Sequence, residues 1–126
     1  MSLLLDGLRV LLLEDEVLIA MDVEQLCRDN GAAEVTVARS LEEIDMAALS
    51  GTVDVAIVDL FLGGASTLDF ARSLREAGTP FVFASGYSDA EEIAAAFPGI
   101  AFVSKPYAGS DLMDAVAKAS RRLSAV

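Results

Sequence analysis

There is no histidine among these 126 residues, which removes the commonest general base near neutral pH and the commonest nitrogen ligand for a metal. Any chemistry must then rest on carboxylates, hydroxyls and lysine. A single cysteine, Cys27, excludes an intrachain disulfide and reads as a buried structural thiol. Positive charge is scarce, with nine Lys and Arg against twenty Asp and Glu and a net charge of −11. That balance repels phosphodiester backbones, so no direct nucleic-acid contact is expected.

Long apolar runs are missing too. Hydrophobic residues make up 54% of the chain, but Asp, Glu, Gly and Ser break them into runs far short of the roughly 18–20 residues that cross a bilayer. The opening residues lack a basic start and carry Asp6 and Arg9 where a signal peptide needs an unbroken apolar core. The expectation is a cytoplasmic protein with no membrane contact. Its length suits one domain of about 100–150 residues, expected over 1–126 with a core from about 8 to 123 and no output domain.

What is present alternates. Arg9–Leu13 is a short apolar run, and Leu18, Ile19, Val23, Leu26 and Cys27 follow at helical spacing until Gly31. Glu34–Ala38 alternates as a strand does, and Ser40 with Glu43 three residues later reads as a capping box heading a second helix. Val53–Val58 predicts a third strand, Leu68–Ala77 a helix, and Phe81–Ala84 a fourth strand after Thr79-Pro80. Ser88-Asp89 caps a short Ala-rich helix, Ile100–Val103 is a fifth strand, and Ser110 caps a last helix to about Leu123. The fold class predicted is α/β: a doubly wound, flavodoxin-like parallel sheet of order 2-1-3-4-5 with five flanking helices.

In such a sheet, functional groups collect past the carboxyl ends of the strands, where strand order reverses. Glu14 and Asp15 follow the first strand, Asp59 ends the third, Ser85 ends the fourth, and Lys105-Pro106 follows the fifth. Three carboxylates gathered there repel one another unless a cation joins them, and hard oxygen donors favour Mg²⁺, with Mn²⁺ as a substitute. Asp15 and Asp59 are expected as direct ligands, Glu14 directly or through water, and the Phe61 carbonyl as a further oxygen. Asp59 is also placed as a nucleophile toward phosphorus, since carboxylates form acyl phosphates. Lys105, the Ser85 hydroxyl and the backbone N–H groups of Leu60 and Gly86 are expected around the phosphoryl oxygens.

At these residues the sequence resembles the receiver domains of response regulators, from about Leu8 to Leu123. The resemblance lies in Leu-Leu-Leu-Glu14-Asp15-Glu, Ala-Ile-Val-Asp59-Leu, Phe-Ala-Ser85-Gly and Val-Ser-Lys105-Pro106-Tyr, in that order and spacing. It implies phosphoryl transfer to Asp59 from the phosphohistidine of a histidine kinase or histidine phosphotransfer protein, with slow self-catalysed hydrolysis. It also implies switch roles for Ser85 and Phe102, a cis bond before Pro106, and an output face for a downstream protein on the fourth helix, fifth strand and fifth helix. The resemblance also implies a lifetime-tuning role for Phe61 and Tyr87, two residues beyond Asp59 and Ser85, at positions which in the family flank the phosphoryl group and influence water attack. Pro80-Phe-Val-Phe-Ala-Ser-Gly-Tyr87 is similar to a receiver subgroup with Pro-Phe-x-Phe-Ala-Thr-Gly.

Three rivals stand beside that reading. A flavodoxin-like FMN carrier would need phosphate-binding amides where Glu14-Asp15-Glu16 stands. A haloacid-dehalogenase-like phosphatase would carry Asp-x-Asp after the first strand. A receiver-like scaffold without phosphorylation would have no use for the intact set Glu14, Asp15, Asp59, Ser85 and Lys105.

Overall fold

The structure, a computed structural model, describes residues 3–44 and 52–124, without the side chains of Tyr87 and residues 122–124. In chain order its strands are β1 (Arg9–Leu13), β2 (Glu34–Ala38), β3 (Val55–Val58), β4 (Phe61–Leu62), β5 (Ala65–Ser66), β6 (Phe81–Gly86) and β7 (Phe102–Lys105). The helices among the described residues are α1 (Val17–Asp29), α2 (Leu68–Glu76), α3 (Ala90–Ala96) and α4 (Gly109–Ser124). Five strands form a parallel sheet ordered β2-β1-β3-β6-β7, while β4 and β5 make a small antiparallel ribbon. With the ribbon set aside, this is the expected 2-1-3-4-5 order.

Period-two alternation divides the core. Val10, Leu12 and Ile57 face Ala20, Val23 and Cys27 of α1 and Leu112, Met113 and Val116 of α4. Leu11, Leu13, Val58 and Phe83 face Phe70, Ala71 and Leu74 of α2 and Ile93 of α3. A strand with both faces covered this way must be apolar at every position, which accounts for the unbroken run Val55–Val58. Leu18, counted on the apolar stripe of α1, is instead 77% exposed. The buried set Ala20, Val23 and Cys27 repeats at intervals of three and four, and Leu18 falls off that stripe.

Local expectations were met unevenly. The second helix appears only as a short 3₁₀ turn, Leu41–Glu43, and its remainder lies outside the described residues. Ser40 makes no capping bond there; Glu43 reaches back one residue further, accepting the Arg39 backbone N–H at 2.7 Å. Ser110 lies inside α4 rather than ahead of it. The last strand begins two residues later than expected and includes Lys105. Ahead of β1, Leu5 is fully buried, and its N–H donates to Asn30 O at 2.8 Å.

Candidate functional site

Sheet register brings the polar residues together. Leu13 pairs with Val58 across β1 and β3, so Glu14 and Asp59 are the next residues past two adjacent strand ends. Ser85 pairs with Ser104, and Gly86 with Lys105, across β6 and β7. The five residues predicted from the sequence, Glu14, Asp15, Asp59, Ser85 and Lys105, thus converge on one edge of the sheet. The β2 edge adds no side chain, although Ala38 O accepts the Glu14 N–H at 3.1 Å.

Lys105 joins two of the carboxylates. Its Nζ donates to Asp59 Oδ2 and to Glu14 Oε1, both at 2.7 Å. Burial works against the ammonium, but the hydrogen bonds to Asp59 and Glu14 outweigh it and raise its pKa. Glu14 is 3% exposed, and burial lifts its pKa even though Lys105 and the Glu16 N–H favour the charged form. Asp15 faces the ribbon, where its Oδ2 accepts the Gly63 N–H at 3.0 Å. One oxygen from each of Glu14, Asp15 and Asp59 lies within 4.8 Å of the others. One ammonium against three carboxylates leaves the cluster negative, and all the donors are hard oxygens; the residues present fit a magnesium-type cation.

The other oxygen of Asp59 belongs to the hydroxyl side. Ser85 Oγ lies 2.7 Å from Asp59 Oδ1 and 2.7 Å from Asp89 Oδ2, and it accepts the Leu60 N–H at 3.3 Å. Leu60, expected to direct its N–H at a phosphoryl group, here directs it at the hydroxyl beside it. Gly86 sits at the strand end opposite Lys105. Two residues of this layer were not found from the sequence. Asp89 reads there only as a helix cap, yet makes no capping bond. Thr67, ahead of α2, is fully buried, and its one hydroxyl proton faces two carbonyls, Asp59 O at 2.6 Å and Leu60 O at 3.0 Å. Its position before an amphipathic helix signals a cap, and nothing local points it toward Asp59.

The remaining candidates flank the cluster. Phe61 is 43% exposed at the start of β4, and its N–H lies 3.4 Å from Asp59 Oδ1. The Tyr87 side chain lies outside what the structure describes. Phe102 is half-buried, opposite Phe83 in the β6–β7 register, against the cluster that holds Ile93 of α3. The Lys105–Pro106 bond is cis, as expected. Tyr107 follows, its pKa pushed up to about 12, chiefly by burial. No helix among the described residues is long and apolar enough to cross a membrane.

The chain is similar to known proteins over most of its length. The family model described as the response regulator receiver domain matches residues 10–117. Nodulation protein W of Bradyrhizobium diazoefficiens is 28% identical over 117 residues, which cover 90% of this chain and 51% of that protein. The chain therefore spans about half the length of this curated relative. Among solved structures, the response regulator PhyR from Brucella abortus superposes with a TM-score of 0.77 at 26% identity, over 94% of this chain and 50% of that one. The receiver domain of the Francisella response regulator 1452 superposes with a TM-score of 0.74 at 22% identity, over 92% and 98% of the two chains.

Proposed function

Because the chain belongs to the response regulator receiver domain family, we propose that it accepts a phosphoryl group on Asp59 from a phosphohistidine and uses it to switch protein contacts. The observation that carries this reading is the double grip on the Asp59 carboxylate, with Lys105 on one oxygen and Ser85 on the other. An Asp59 oxygen attacks phosphorus, the P–O bond forms as the P–N bond breaks, and the electron pair returns to the imidazole of the partner.

Each neighbour has a task in that transfer. Lys105 neutralises charge on the phosphoryl oxygens, and the Ser85 hydroxyl with the N–H groups of Leu60 and Gly86 binds what remains. Glu14, Asp15, Asp59 and the Phe61 carbonyl are the residues that would hold Mg²⁺, or Mn²⁺ in its place, which when bound supplies positive charge against those oxygens. Thr67 ties the backbone of Asp59 and Leu60 in place from below.

The phosphodonor is a histidine kinase or histidine phosphotransfer protein. Hydrolysis is slow, Phe61 and Tyr87 shielding the acyl phosphate from water, and Ser85 and Phe102 pass its presence to a downstream protein through α3, β7 and α4. The unit acts in the cytoplasm as one receiver with a core over about 8–123, away from membranes and nucleic acid. Its fourth main strand is similar to that of the subgroup with Pro-Phe-x-Phe-Ala-Thr-Gly, with Ser85 in place of the Thr.

A transfer assay with radiolabelled phosphohistidine kinase tests the proposal. Wild type should gain label only with Mg²⁺, and Asp59→Asn should gain none. Label retained by the variant would move the acceptor elsewhere, and equal labelling in EDTA would discard the cation site.

A further inference from the structure

Ser85 carries one hydroxyl proton and meets two carboxylates. Its Oγ stands 2.7 Å from Asp59 Oδ1 and 2.7 Å from Asp89 Oδ2, while the Leu60 N–H already fills an acceptor position. One proton can serve only one carboxylate at a time, so the other faces an oxygen lone pair. Asp89 reaches this place from the turn Tyr87–Asp89, which links β6 to α3. Its carboxylate turns back on Ser85 instead of bonding the first turn of the helix it precedes. Lys105 offers no relief, because its ammonium lies on the opposite oxygen of Asp59.

We propose that Asp89 is a positioning residue of this site, whose carboxylate competes with the phosphoryl group for the proton of the Ser85 hydroxyl. The inference rests on the receiver reading and adds a residue that holds the free protein in its unphosphorylated arrangement. A phosphoryl group on Asp59 brings about two negative charges and needs the one donor that Asp59 and Asp89 share. Its arrival must therefore end that sharing and push the Asp89 carboxylate out, and the turn leading into α3 moves with it. Asp89 thereby weakens phosphoryl binding while coupling it to the helix that follows.

Beryllofluoride with Mg²⁺, followed by fluorine NMR on the full chain, reads the competition directly. Asp89→Ala should bind about tenfold more tightly than wild type, the size of one hydrogen bond to a charged group, and the isosteric Asp89→Asn, whose amide oxygen still accepts the proton but without charge, should gain less. In a Ser85→Ala background, Asp89→Ala should change affinity by less than about twofold, because the shared proton is gone. Where that background binds too weakly to titrate, the rate of labelling from acetyl phosphate replaces affinity. Unchanged binding in both single variants overturns the competition. An equal gain without Ser85 overturns it as well, since Asp89 would then act on the phosphoryl group through its field alone. If wild type takes up neither beryllofluoride nor label, the receiver reading fails and the competition with it.

Discussion

The Lys105 ammonium donates a 2.7 Å hydrogen bond to Asp59 Oδ2 across 46 positions of sequence. Its second bond, to Glu14, makes it the cation that holds the ends of β1, β3 and β7 against their own repulsion. Both carboxylates are largely withdrawn from water, so removing their counter-charge leaves them uncompensated. Lys105→Met should cost about 2 to 3 kcal/mol of stability at neutral pH, read by urea denaturation, with part restored by added Mg²⁺. Labelling of Asp59 should fall about a hundredfold. A variant with wild-type stability and labelling would remove Lys105 from the site.

Thr67 is the hidden support of Asp59. Its single hydroxyl proton is shared between the carbonyls of Asp59, the nearer, and Leu60 from a fully buried position. Thr67→Val keeps the shape and removes the donor, which should cost about 1 to 2 kcal/mol. Labelling should slow as the Asp59 backbone loosens, and Thr67→Ser should restore both readouts. If valine is as good as serine, the hydroxyl is incidental.

Gly31 tests the N-terminal segment. Its φ is +96°, and an added Cβ would meet Asp6 Cα and Leu3 Cβ at 3.0 Å. Gly78 has a similar φ of +75° with open space around it. Both alanine variants pay the left-handed backbone cost of about 1 kcal/mol, but Gly31→Ala should lose about 1 to 2 kcal/mol more through overpacking. Equal urea midpoints would show that the segment before β1 yields freely.

Cys27 predicts an alkaline limit. The thiol is fully buried, and burial pushes its pKa from 9.0 up to about 11, helped by Glu24 and opposed by Arg28. The folded state holds a proton that the unfolded chain loses first, so this contribution is complete below pH 9 and disappears as pH rises to about 11. At about 1.4 kcal/mol per unit the loss is on the order of 2 to 3 kcal/mol. Urea stability of wild type should therefore fall more steeply across that window than that of Cys27→Ala, and parallel slopes would contradict the assignment.

Much of the fold was legible because short-range rules govern it. Apolar runs bounded by Gly31 and by Thr79-Pro80 marked β1, α1 and β6, and charged residues directly after such runs marked Glu14, Asp15 and Asp59. Where two local signals compete, the reading failed. Ser40, Ser110 and Asp89 all look like helix caps, yet none makes that bond. For Asp89 the reason is a better partner in Ser85; for Ser110 the helix simply begins one residue earlier.

The sequence by itself determined the alternation of elements, the order of the main strands and the residues that stand at their carboxyl ends, because periodicity and chain connectivity leave few other ways to cover an apolar sheet. Only the tertiary structure decided that Asp15 meets Gly63, that Thr67 holds Asp59, and that Ser85 is shared with Asp89. Hydrogen bonds hold only within a few tenths of an ångström and a limited angle, and that placement comes from how strands, turns and helices pack, which no local pattern carries.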